Sequence, residues 1–178
     1  VGGSGYNVWF DNGWNFFDAD WQAKGVCCWN HSRFGKGAIF SGDPTNSKEM
    51  QGRACQMIDL DLKQLAKAGV RYGVWNVLCY SRIPFSKADD VHAALMWGKD
   101  AKSGALFEPS RCQLSFPIQG DNYTKYVALV DVQERKLVYL DANLRAKVES
   151  AGQNTGYLSK VMPAFMEYLD ALPSVHDV

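Results

Sequence analysis

The sequence predicts an all-β fold: a β-sandwich of mostly antiparallel strands, with a short helical turn mid-chain and a C-terminal helix. Three observations predict it. Short apolar runs alternate throughout with Gly, Pro, Asn and Asp turn signals. The run at 72–80, YGVWNVLCY, is apolar on both parities save for Asn76, as a strand covered on both faces must be. Long helical spacing is confined to the tail. Six Trp, eight Tyr and nine Phe suit strands better than helices. With 178 residues, one domain can bury a substantial core. The expected division is a sandwich over 1–148 and a linker with its helix over 149–178.

The elements follow in order. VGGSGY at the start reads as the end of a linker. Because the chain opens on Val1, its true N-terminus is expected to be missing or processed. Residues 7–10 read as a strand, and Asp11-Asn12-Gly13 carries the Asn-Gly pair of a tight hairpin. Residues 14–17 would return. Residues 25–29 form another short strand, Gly35 and Gly37 mark a turn, and 38–40 extend again. Ser41-Gly42-Asp43-Pro44-Thr45-Asn46 is a dense loop signal.

Ile58, Leu60 and Leu62 then alternate with Asp59 and Asp61, the period of a half-buried strand. Asp61 with Gln64 three residues on has the spacing of a capping box, and Gly69 supplies a left-handed stop. The two-faced strand at 72–80 comes next and is taken as the centre of the core. Residues 91–97 are read as a strand, 98–104 as a hairpin tip and 105–107 as its return. Residues 111–116 place Cys112, Leu114 and Phe116 on one face. Residues 126–132 read as a second central strand, 133–136 as a charged turn and 137–140 as a hairpin partner. In the tail, Leu158, Val161, Met162, Phe165, Leu169 and Leu172 recur at helical spacing. Ser159 is the expected cap, which puts Pro163 in the first turn, where it is tolerated.

Charge and composition exclude several classes. Lys plus Arg and Asp plus Glu both number 19, so no basic excess exists to neutralise phosphates. No apolar run is long enough to span a bilayer as a helix. Cys27, Cys28, Cys55, Cys79 and Cys112 are odd in number and never spaced as C-x-x-C, which reads as reduced, buried thiols in a cytoplasmic protein. His31, His92 and His176 are not paired by spacing with a nucleophile, and no phosphate loop is present, so no enzyme is expected.

The oxygen-bearing residues of the first third are the candidate site: Asp11, Asn12, Asp18, Asp20, Asp43 and Asn46. Calcium takes six to eight hard oxygen ligands in a pliable shell, and strand-end loops can offer them. Such aspartates also cap their own turns through nearby backbone N–H groups.

Several stretches resemble one family in order and spacing. They are Phe16-Phe17-Asp18-Ala19-Asp20-Trp21, Phe40-Ser41-Gly42-Asp43, Ile58-Asp59-Leu60-Asp61-Leu62 with Ala68-Gly69-Val70-Arg71-Tyr72, Phe107-Glu108-Pro109 and Leu129-Val130-Asp131-Val132. Across residues 8–140 the chain resembles the TerD-like family of tellurium-resistance and general stress-response proteins. The tail is similar to the extension of TerD-like proteins that accompany MoxR-type ATPase and von Willebrand-type modules, and 173–178 resembles the opening of a further segment. The resemblance implies a β-sandwich whose loops hold calcium. Where the family carries an Asp-x-Asp pair, this chain has Trp9 and Asp11. The Asp of Ser-Gly-Asp is kept as Asp43, and the usual Glu before the Ile-Asp strand is Gln56. The implied metal set is therefore Asp11, Asp43 and Gln56, with two carboxylates lost and calcium bound weakly or not at all.

The expected function is a cytoplasmic, non-enzymatic scaffold of a stress response, acting through protein partners or self-assembly. The alternative is a structural or assembly protein of a larger complex that uses the same sandwich without metal.

Overall fold

The computed structural model describes residues 9–42, 55–88, 90–97, 112–143 and 150–171. Its strands are β1 (Phe10–Phe17), β2 (Ala23–Cys27), β3 (Arg33–Phe34), β4 (Ala38–Phe40), β5 (Ile58–Leu60), β6 (Tyr72–Cys79), β7 (His92–Leu95), β8 (Leu114–Pro117), β9 (Thr124–Asp131) and β10 (Lys136–Ala142). Helix α1 (Leu62–Lys67) joins β5 to β6, and α2 (Thr155–Asp170) is the last element of the described residues. The expected mostly antiparallel β architecture is present. A five-stranded sheet runs in the order β10-β9-β6-β1-β2, beside a three-stranded sheet β3-β4-β5 and a β7-β8 ribbon. No helix among the described residues is long and apolar enough to cross a membrane.

β6 is the middle strand of the large sheet, as its two-faced apolar pattern requires. Trp75 and Cys79 look toward the small sheet, where they join Trp14, Phe16, Ala38, Phe40 and Leu65. Trp14 and Trp75 stack there with ring centroids 5.5 Å apart, a contact worth about 0.5–1.5 kcal/mol beyond area burial. Val74 looks the other way, into a second cluster with Phe17, Trp21, Tyr126, Leu129, Leu158 and Met162. One face of the sheet is thus covered by strands and the other by α2.

The segment before β6 folds as its residues dictate. The Asp61 carboxylate accepts from the N–H groups of Lys63 and Gln64 and caps α1, a contact worth about 1 kcal/mol. Gly69 takes φ +78°, a backbone that L side chains rarely adopt. Between β9 and β10, Asp131 Oδ1 accepts from the N–H groups of Gln133 and Glu134 and closes the expected charged turn.

Three expectations are corrected. Asp11-Asn12-Gly13 is not a hairpin; β1 runs straight through it and pairs with β6 from Phe10 to Phe17. The glycine is there for closeness rather than for turning. A Cβ on Gly13 would lie 2.3 Å from Cβ of Ala151 and 3.0 Å from Oδ1 of Asn76. Next, the tail's polar residues are not a bare linker. Residues Ala151–Asn154 form a 3-10 turn, with Ala151 and Asn154 buried. Finally, α2 starts at Thr155 rather than after Ser159, which leaves Pro163 inside the helix. There it withholds the donor that the Ser159 carbonyl would take. Its ring is exposed, so the core face carried by Leu158 and Met162 is kept. The expected hairpin tip at 98–104 and the return at 105–107 lie outside the described residues.

Gly13→Ala is expected to destabilise the fold by about 1–3 kcal/mol through overpacking against Ala151. Gly156→Ala, where a new Cβ meets nothing within 4 Å, should be neutral or stabilise by up to about 1 kcal/mol. Urea unfolding of both variants checks this, with the midpoint falling only for Gly13→Ala at unchanged slope.

Candidate functional site

β2 pairs with only the second half of β1, from Trp14 to Phe17. Beyond Cys27 the chain leaves the sheet through a Cys28–His31 bridge. This would leave the Phe10 carbonyl and the Asn12 N–H facing outward without a strand. The side-chain amide of Gln56 takes the vacated place. Its Oε1 accepts from Asn12 N at 2.9 Å and its Nε2 donates to Phe10 O at 3.0 Å. A primary amide carries one acceptor and one donor side by side, as a strand's peptide edge does. The Asn12 side chain in turn accepts from Trp75 Nε1 at 2.5 Å and reaches Gln56 O at 3.4 Å.

The next residue along continues the pattern. Met57 N donates to Ser41 Oγ at 2.9 Å, and Ser41 N donates to Met57 O at 2.8 Å. Three stretches far apart in sequence, 10–12, 41–42 and 56–57, therefore meet at one rim. Of the residues expected as metal ligands, Asp11 and Gln56 are brought to that rim. Asp11 sits on β1 opposite Leu78, 8% exposed, with its side chain on the other face from Asn12. Its negative charge adds to burial in raising the thiols of Cys28 and Cys79. Asp43, next but one to Ser41, and Asn46 lie outside the described residues.

The other oxygens go elsewhere. Asp18 and Asp20 follow the far end of β1, about 26 Å from its start at roughly 3.3 Å per strand residue. Asp18 Oδ1 accepts from Asp20 N at 3.0 Å and Gln22 N at 2.9 Å. It closes its own turn, as aspartates in turns commonly do. Among the described residues, no group of three or more His, Cys, Asp or Glu side chains is gathered as a metal cage.

A second polar constellation was not legible from spacing. The β7–β8 register sets His92 opposite Pro117, two residues from Ser115. His92 Nδ1 lies 3.1 Å from Ser115 Oγ, and Nε2 lies 3.0 Å from Asp90 Oδ1. The order of groups is that of a nucleophile, a base and its orienter. All three are exposed, with Asp90 at 78% of its side chain, so water competes for each contact. A cleft of about 300 Å³ borders this ribbon, lined in part by Asp90, His92, Ser86 and Gln119. Neither Asp11 nor Gln56 lines it. The signal that could have found the trio is the alternation of β7 and β8, once their register is known.

All five cysteines are free thiols. Cys27, Cys28 and Cys79 are buried, whereas Cys55 and Cys112 are half-buried. Burial, followed by the neighbouring Cys28, pushes the Cys27 thiol up to about 12. Burial pushes Cys55 up to about 11, with Cys112 adding to it. Such thiols stay protonated and are poor nucleophiles at neutral pH.

Comparison of the chain with protein-family models, with curated proteins and with solved structures finds no match.

The raised Cys27 pKa makes a prediction with a definite sign. The folded state holds this proton more tightly than the unfolded chain, whose thiol titrates near 9.0. The resulting stability is complete below that pH and is lost as pH rises through the folded value of about 12. Equilibrium unfolding measured from pH 8 upward should show stability falling. Cys27→Ala, whatever its effect at neutral pH, should flatten that slope.

Proposed function

We propose that the chain is a non-enzymatic, TerD-like scaffold of a stress response, whose rim at 10–12, 41–42 and 56–57 takes up calcium weakly. One observation carries this reading: Gln56 and Ser41 tie together the segments that bear the family-like ligand positions. In it, Asp43 supplies a carboxylate, Asp11 adds negative charge through space from the other face of β1, and Gln56 orients the rim while offering the second lone pair of its amide oxygen. Two carboxylates against a dication, where the resemblance implies four, place the affinity on the order of 0.1–1 mM. Five thiols with no disulfide among them support a reducing compartment. The balanced net charge supports proteins rather than nucleic acid as partners.

The second reading is an assembly protein that keeps the sandwich without an ion. The neutral Gln56 amide favours it, because that amide satisfies the β1 edge by itself.

Thermal melts in calcium against chelator separate the two. Calcium in about tenfold excess over its Kd contributes about 1.4 kcal/mol, or a few degrees in Tm for a chain of this size. The scaffold reading expects that rise, and expects Asp43→Ala to abolish it. Gln56→Glu, which restores a carboxylate, should enlarge the rise at the same calcium concentration. An unchanged Tm in the wild type and in Gln56→Glu selects the metal-free reading.

A further inference from the structure

The face of the large sheet beneath α2 is dry at one end and polar at the other. Asn15, Asn76, Thr124 and Asn154 are each at most 3% exposed. Even so, Asn15 Oδ1, both ends of the Asn76 amide, Thr124 Oγ1 and Asn154 Nδ2 have no hydrogen-bond partner among the described residues. Buried polar groups in folded proteins are nearly always paired, and a cluster of five orphans calls for a guest.

Register puts these groups together. Gly13, Asn76 and Tyr126 lie side by side across β1, β6 and β9. Thr124 is one pleat from Tyr126 on the same face of β9, and Asn15 is one pleat from Gly13 on β1. Above them sits the 3-10 turn Ala151–Asn154. Asn15 Nδ2 donates to Ala151 O at 2.8 Å and to Thr155 Oγ1 at 3.0 Å. Tyr126 Oη donates to Asn154 Oδ1 at 2.8 Å. Because Gly13 has no side chain, the Asn76 amide oxygen and the Ala151 side chain both come within 3.0 Å of where its Cβ would stand.

The orphans also say what the guest is. They include donors, at Asn76 and Asn154, and acceptors, at Asn15, Asn76 and Thr124. A cation would leave the amide N–H groups facing positive charge, and an anion would face the lone pairs. Turning the Asn76 amide over exchanges one orphan for another and changes nothing. Water, which donates and accepts and typically makes about three bonds when buried, satisfies the whole set. We propose that Asn15, Asn76, Thr124 and Asn154 enclose ordered internal water that bridges the sheet to the 151–154 turn. The proposal does not rest on the calcium reading: Asp11 lies on the same face, one pleat from Gly13, but none of the orphaned atoms belongs to Asp11, Asp43 or Gln56.

Magnetic relaxation dispersion of water ¹⁷O and ²H in solutions of the full chain tests it. The wild type should show internal water that stays longer than the protein tumbles. The dispersion amplitude should fall in Asn76→Leu or in Thr124→Val, each of which removes bridging groups. If Asn76→Leu does not fold, Thr124→Val alone decides. No long-lived water in the wild type, or an amplitude unchanged in every folded variant, would overturn the proposal.

Discussion

A side-chain amide does the work of a strand at the edge of β1. Where β2 stops, Gln56 carries the ladder two residues further, meeting one backbone donor and one backbone acceptor. The arrangement fixes more than one strand edge. It sets where β5 begins, because Met57 follows at once and pairs with Ser41. It thereby seats the small sheet over the large one and closes the aromatic layer around Trp14 and Trp75. The Asn12–Trp75 bond links that layer back to the same edge.

The two faces of the large sheet are finished differently. Toward the small sheet, aromatic and aliphatic side chains from strands and from α1 fill the space. Toward α2, the apolar cluster of Phe17, Val74, Leu129, Leu158 and Met162 gives way to asparagines at the 3-10 turn. Apolar burial attaches the helix, and directional amide bonds position the turn that leads into it. Such polar contacts contribute little net stability but penalise misplacement strongly, because a displaced amide loses its partners without regaining bulk water.

Local chemistry was legible in the sequence and long-range substitution was not. β6 announced its central place through apolar residues on both parities, and Asp61 and Gly69 announced the start and stop of α1. The β9–β10 hairpin was equally plain. Gly13 misled because Asp-Asn-Gly suits a tight turn, and its real reason is Ala151, remote in sequence. The tail helix begins earlier than its spacing predicts for a related reason. Asn154 Oδ1 accepts from Tyr126 Oη rather than from a backbone N–H of the first turn, so the helix start carries no side-chain cap bond. At the rim, the resemblance implies Asp11 and Gln56 as ligands, but nothing local reveals that the Gln56 amide serves a strand edge 44 residues away. Asp18 and Asp20 could not be separated from Asp11 without knowing that β1 runs unbroken between them.

The rim depends on the Gln56 amide completing β1, and hydrogen exchange at the Asn12 amide measures that bond directly. Asn12 N–H should be protected in the wild type, and Gln56→Ala should speed its exchange about tenfold or more, in line with one lost hydrogen bond, while the amides of Trp75 and Val77 in β6 stay slow. An Asn12 amide that exchanges freely in the wild type, or one left unchanged by Gln56→Ala, would contradict it.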